Sequence, residues 1–187
     1  YSDEWVAEAE RRGLPNTKTM VDATASLTEE KTIEMFERQH VYTRTELESR
    51  SEINYEAYAN AINIEAKTMI KMASQQYIPS VISYVTSLAE SINSVSAACA
   101  DADLSVQKNL LTECSSLLAQ AQNALLALKE ADKTAATFDE CKAQAEYFRD
   151  VVFAAMENLR APIDALEELV DTEYWPVPTY SDMLFEV

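Results

Sequence analysis

Tyr55-Glu-Ala-Tyr-Ala-Asn-Ala-Ile-Asn-Ile-Glu-Ala-Lys-Thr-Met-Ile-Lys-Met72 lies at the centre of a stretch, Thr43 to Ala98, that has no glycine and a single proline, Pro79. Apolar residues fall at Leu47, Tyr55, Tyr58, Ile62, Ala66, Met69 and Ala73, then at Ile78, Val81, Val85, Leu88, Ile92 and Val95. Steps of three and four place them on one side of a helix; a strand would alternate every second residue. Unbroken, that helix would run roughly 80 Å at about 1.5 Å per residue. A compact domain of this size is only about 40 Å across. The stretch therefore predicts a long helix bent at Pro79, in an elongated molecule.

The composition narrows the class. With 187 residues the chain can bury one core with appendages. Its single glycine leaves nothing from which to build a phosphate loop or a dinucleotide fingerprint. A net charge of −17 argues against nucleic acid and against an anionic membrane surface. Cys99, Cys114 and Cys141 are odd in number and widely spaced. They read as buried, reduced thiols of a cytoplasmic protein, not as a disulfide frame or a zinc site. Residues 72–89 carry no charge, but Ser74, Gln75, Gln76, Ser80, Ser83, Thr86 and Ser87 interrupt them, with Pro79 among them. A membrane span of about 20 predominantly apolar residues is not present there.

Outward from the long helix, Tyr1 to Arg12 is helical in pattern, with Trp5, Val6 and Ala9 on one side and Gly13 placed as its C-terminal cap. A second short helix is expected within Asn16 to Ala25. Ser26-Leu-Thr-Glu29 fits a capping box opening a helix through His40, with Ile33, Met35 and Phe36 as its apolar side. Thr43-Arg-Thr-Glu46 is a second box, starting the long helix, and Thr137-Phe-Asp-Glu140 a third. Asp103 is placed as the N-cap of a helix from Leu104 to about Ala135, whose face carries Leu110, Leu111, Cys114, Leu117, Leu118, Ala121, Leu125 and Leu128. The last long helix carries Phe148, Val151, Val152, Ala155, Leu159, Ile163, Leu166 and Val170; Pro162 either kinks it or begins a new one. A chain that opens in mid-pattern without methionine reads as a piece of something longer.

The expected fold class is thus all-α: an elongated antiparallel helical bundle with one long Pro-kinked helix, short N-terminal helices and an extended Trp-Pro-x-Pro C-terminal strap. Its segments are 1–42, then the bundle 43–172 (helices about 44–98, 104–135 and 138–171), then the strap 173–187. Short connections make consecutive helices antiparallel neighbours. The uncharged residues 114–128 and 72–89 face each other in such a hairpin. That predicts cover on more than one side, by the bundle or by another subunit. In the strap, Trp175, Tyr180, Leu184 and Phe185 are too many large apolar groups for a free tail. Thr179 or Ser181 is expected to cap a last helix that lays Leu184 and Phe185 on the body.

Candidate chemistry is sparse. Glu37-Arg-Gln-His40 matches half of a di-iron Glu-x-x-His pattern, but the chain has one histidine and the site needs two. His40 is better read as a helix-end residue favourable to the dipole. Glu65 lies near the apolar stripe, either as a tuned carboxylate in a pocket or, the preferred reading, paired with Arg149 or Arg160. The six methionines are more simply core filler than a promiscuous groove. Catalytic, cofactor and metal residues are accordingly expected to be absent. The candidate interface is the middle of the long helix and the tail: Tyr55, Tyr58, Met69, Met72, Trp175 and Phe185.

Four blocks carry a resemblance: Glu4-Trp-Val-Ala-Glu-Ala-Glu-Arg-Arg-Gly-Leu-Pro-Asn16, Glu46-Leu-Glu-Ser-Arg-Ser-Glu-Ile53, Ile62-Asn-Ile-Glu-Ala-Lys-Thr-Met69, and Leu169-Val-Asp-Thr-Glu-Tyr-Trp-Pro-Val-Pro-Thr-Tyr-Ser-Asp-Met-Leu-Phe185. They resemble the C-terminal end of type III glutamine synthetases. Between about residues 90 and 145 only the helical pattern agrees. The resemblance implies a parent enzyme joining ammonia to L-glutamate with ATP and Mg²⁺ or Mn²⁺, at sites in an upstream catalytic region. This chain would be its non-catalytic helical domain. Its partners would be its own catalytic domain and neighbouring subunits of a homo-oligomer, with no nucleic acid and no membrane. The rival is a helical sensor or adaptor module, which would leave the Trp175-Pro-Val-Pro strap unexplained.

Overall fold

A computed structural model describes residues 2–185; Tyr1, Glu186, Val187 and the Tyr180 side chain lie outside the described part. Among the described residues every regular element is helical and none is a strand. The elements are α1 (Asp3–Arg11), α2 (Met20–Ala25), a 3₁₀ turn (Ser26–Thr28), α3 (Glu30–Arg38), α4 (Arg44–Met72), a π-turn (Ala73–Tyr77) and α5 (Ile78–Ala98). They continue as α6 (Ser105–Ala135), α7 (Cys141–Tyr147), a second π-turn (Phe148–Val152), α8 (Phe153–Leu169) and α9 (Tyr180–Phe185). The chain forms two compact units, Tyr1–Ile62 with Phe138–Arg149, and Asn63–Thr137 with Asp150–Val187.

In the first unit, local chemistry fixes where helices stop. Gly13 (φ 74°) ends α1: its N–H binds the Glu10 carbonyl and that of Leu14 binds Ala9, the two bonds of a Schellman cap. His40, at φ 53°, ends α3 by the same pair of bonds, His40 to Glu37 and Val41 to Phe36. The second capping box is formed: the Thr43 N–H donates to Glu46 Oε2 at 2.8 Å and the Glu46 N–H returns to Thr43 Oγ1 at 3.4 Å. The other two are not. Ser26 closes α2, its hydroxyl donating to the Ala23 carbonyl, and α3 begins at Glu29 without a side-chain cap. Thr137 likewise turns back to the Thr134 carbonyl and closes α6. Both hydroxyls follow a helix directly, so a free carbonyl behind them competes with the N–H groups ahead.

The core of this unit joins Val21, Tyr55 and Ala145, with Tyr58 and Cys141 packed against them. An ion pair of 2.6 Å between Arg149 and Asp22 ties α2 to the end of the α7 segment. Ile33 is buried and Phe36 half-buried, but Met35 is exposed; two residues beyond Ile33, it lies about 200° around the helix.

In the second unit the stripe of the long helix continues. Ala66, Ala73 and Val81 are buried, and Met69, Ile78, Val85, Leu88, Ile92 and Val95 are half-buried. The disturbance expected at Pro79 occurs one turn earlier. Pro79 has no N–H and its ring crowds the carbonyl four residues back, that of Gln75. The chain answers with a π-turn in which the Ile78 N–H reaches five residues back, to Ala73. Pro162, by contrast, lies inside α8, so it does not begin a new helix. α6 packs against both α5 and α8. Its buried residues are Cys114, Ala121, Leu125, Leu128, Ala131 and Ala135, and those of α8 are Met156, Leu159, Pro162, Ile163 and Leu166. Val151 is exposed although it fits the stripe. The π-turn Phe148–Val152 adds a residue to the turn, so that Val152 keeps the buried face and Val151 rotates out.

Two expectations are corrected here. The outer face of α6, with Ser115, Ser116, Gln120, Gln122, Asn123 and Leu126, is exposed, so the chain supplies no second cover for it. Its lack of charge reflects small polar residues that water solvates well. The strap does pack: Trp175 is 7% exposed and meets Tyr77 in a tilted contact at 5.1 Å, and Tyr174 meets Tyr84 at 5.6 Å. α9 opens with a capping box between Thr179 and Asp182, yet Leu184 and Phe185 are 76% and 80% exposed and do not lie on the body.

Candidate interaction surface

The single histidine is used structurally, as the left-handed residue ending α3. Beside it, the Glu37 carboxylate accepts the Arg44 N–H at 3.0 Å, and Arg44 reaches Glu30 at 2.6 Å. Both carboxylates brace the corner between α3 and α4. No group of three or more His, Cys, Asp and Glu side chains arranged to hold a metal ion occurs among the described residues. The one glycine closes a helix rather than cradling a phosphate. These residues fit neither a divalent cation nor a nucleotide.

Glu65 is exposed. Of the cations expected beside it, Arg149 binds Asp22 and Arg160 binds Asp164 at 3.1 Å. The three thiols are free, and they differ. Cys114 is buried; desolvation, with the Glu113 carboxylate second, pushes its thiol above the usual range. Cys141 is half-buried, and Cys99, expected to be buried, is exposed where α5 ends.

The expected interface residues separate by burial. Tyr55 is buried in the first unit and Tyr58 packs against the same core. Trp175, in the strap, is buried, its indole N–H without a hydrogen-bond partner. Met69 and Met72 are half-buried, and Phe185 is exposed. Met69 and Met72 line a shallow groove with Tyr77, Leu159 and Ile163, rimmed by Arg160 and Asp164. A second groove shares Met69 and Arg160 and is lined by Ile64, Met156 and Phe153, with Glu65 and Glu157 beside them. Ile64 and Phe153 are exposed apolar groups on this rim. Sequence reasoning passed over both. Each lies out of phase with its helix's buried stripe, and that was the available signal.

Geometry thus defines an acidic, all-helical domain with apolar grooves, one of them rimmed by the Arg160–Asp164 ion pair. Residues 1–96 match the family described as Glutamine synthetase C-terminal domain, and the chain belongs to that family. It is 35% identical over 191 residues to a glutamine synthetase of Butyrivibrio fibrisolvens, an alignment covering all of this chain and 27% of that protein. It is 32% identical over 192 residues to a type-3 glutamine synthetase of Dictyostelium discoideum, covering 99% of this chain and 26% of the relative. A glutamine synthetase of Bacteroides fragilis (strain YCH46) is 29% identical over 189 residues, with 99% and 26% covered. The chain therefore spans about a quarter of the length of these relatives. No helix among the described residues is long and apolar enough to cross a membrane.

Proposed function

We propose that this chain is the non-catalytic C-terminal domain of a glutamine synthetase, a cytoplasmic enzyme joining ammonia to L-glutamate with ATP and Mg²⁺ or Mn²⁺. Its role is to pack on the catalytic part of its own chain and on neighbouring subunits of a homo-oligomer. The observation that carries this reading is the pairing of a full-length match with low coverage of the relatives: all of this chain aligns, to 27% of the Butyrivibrio protein. The two grooves, one lined by Met69 and Met72 and the other by Ile64, Met69 and Phe153, supply apolar surface for packing.

The test is glutamine formation from glutamate, ammonia and ATP with Mg²⁺. It is run on the full-length protein, on the catalytic remainder lacking this region, and on that remainder with this chain added. The expected result is loss of activity or assembly in the remainder, restored by the added chain. Full activity and assembly of the remainder alone would contradict the structural role. Within the full-length protein, Met72→Asp and Phe153→Asp are expected to weaken assembly.

A further inference from the structure

We infer that α1 is a docking helix whose apolar face is covered by the portion of the full-length protein outside this chain; the inference rests on the reading of the chain as a domain of a longer enzyme. α1 is locally complete. Ser2 caps its start, Asp3 and Glu4 lie in its first turn, and Gly13 closes it. Both arginines at its end are held locally: Glu8 binds Arg11 at 2.7 Å and Arg12 at 2.6 Å, and the Arg12 guanidinium lies 5.8 Å from the Trp5 ring centre. Yet none of its residues is buried. Trp5 is 49% exposed and Val6 43%, and the segment that follows, residues 13–18, is exposed throughout.

Two magnitudes identify the occupant. A helix shorter than roughly 12–15 residues is marginal in water on its own, and α1 has 9. It needs a partner. Nine residues give a face about 14 Å long and about 10 Å wide, on the order of 150 Å². A stable association between separate molecules buries roughly 800 Å² per partner. So small a face cannot by itself hold a second copy that also carries a charge of −17. A segment of the same chain has no such requirement, because tethering removes most of the entropy cost of association. Trp5 and Val6 stay exposed among the described residues, and the relatives extend over nearly four times this chain's length.

The experiment is limited trypsin digestion of the full-length protein, reading cleavage after Arg11 and Arg12. In the wild type these bonds are expected to resist. The double variant Trp5→Asp with Val6→Asp should be cut there at least tenfold faster, while Val106→Asp, an exposed apolar control on α6, behaves as wild type. Equal cleavage of wild type and double variant overturns the inference. So does protection that disappears when the oligomer is diluted to single chains, since the cover would then be a second copy. Fast cleavage beside a remainder that still depends on this chain for activity sinks the docking helix alone. Fast cleavage beside a remainder indifferent to this chain sinks the proposed function with it.

Discussion

α1 and α6 differ in how they end and differ far more in what they bury. α1 has a capped start, an acidic first turn, Arg11 in its last turn and a Schellman stop, and buries nothing. α6 has no side-chain cap at its assigned N-cap residue, Leu104, although Asp103 accepts the Ser105 N–H at 2.9 Å; it buries six residues along its length. Capping and charge placement decide where a helix begins and ends. Whether it contributes to a core depends on an apolar stripe long enough to meet a partner. α6 finds its partners in α5 and α8; α1 has a face of two turns, and none of its residues is buried.

The contrast can be broken first at the packed side. Trp175→Ala should lower stability by about 3–5 kcal/mol, the range for emptying a large aromatic site. Trp175→Phe should cost far less, because the buried indole N–H it removes has no partner to lose. Leu128→Ala on the inner face of α6 should cost about 2–5 kcal/mol in urea unfolding, and Leu126→Ala, two residues away and exposed, within about 0.5 kcal/mol. Equal losses at 126 and 128 would remove the distinction between the faces.

Local finishing should matter less. Thr43→Ala, which opens the formed capping box, should cost about 1 kcal/mol. The Thr43 N–H and hydroxyl hold the Glu46 carboxyl below its ordinary value. A depressed folded value means the cap stabilises above the unfolded value and is lost as pH falls through the folded one. Acid should therefore loosen the start of α4, and Thr43→Ala should flatten that dependence in a pH series of melts.

Smallest is a pair of opposite sign at the two Schellman stops. His40→Gly should stabilise by about 1 kcal/mol, by relieving a left-handed side chain, and Gly13→Ala should destabilise by a similar amount. No atom lies within 4 Å of the added Gly13 methyl, so backbone strain alone sets that cost.

Much of this was legible in the sequence. Every stripe residue named from Leu47 to Val95 is buried or half-buried, because steps of three and four survive whatever the helix packs on. What escaped were positions where small residues do the packing, such as Ser51, Ala59, Ala131 and Ala135, whose burial leaves no hydropathy signal. The π-turns escaped as well, since the pattern shows the proline but not the turn that accommodates it. For the interaction surface, Met69 and Met72 were legible as a surplus of apolar groups. For Ile64 and Phe153 the phase against the buried stripe marked them as exposed, but which groove they border depends on the helix across from them.

The most direct measurement is hydrogen exchange resolved by mass spectrometry on the full-length protein, comparing the α1 amides, residues 6–11, with those of α6. In this chain α1 buries none of its residues and α6 buries six. The account predicts that α1 is protected in the full-length protein, at exchange rates approaching those of α6, because the rest of that protein covers Trp5 and Val6. Exchange of α1 at the rate of a free helix, beside a slow α6, would contradict it.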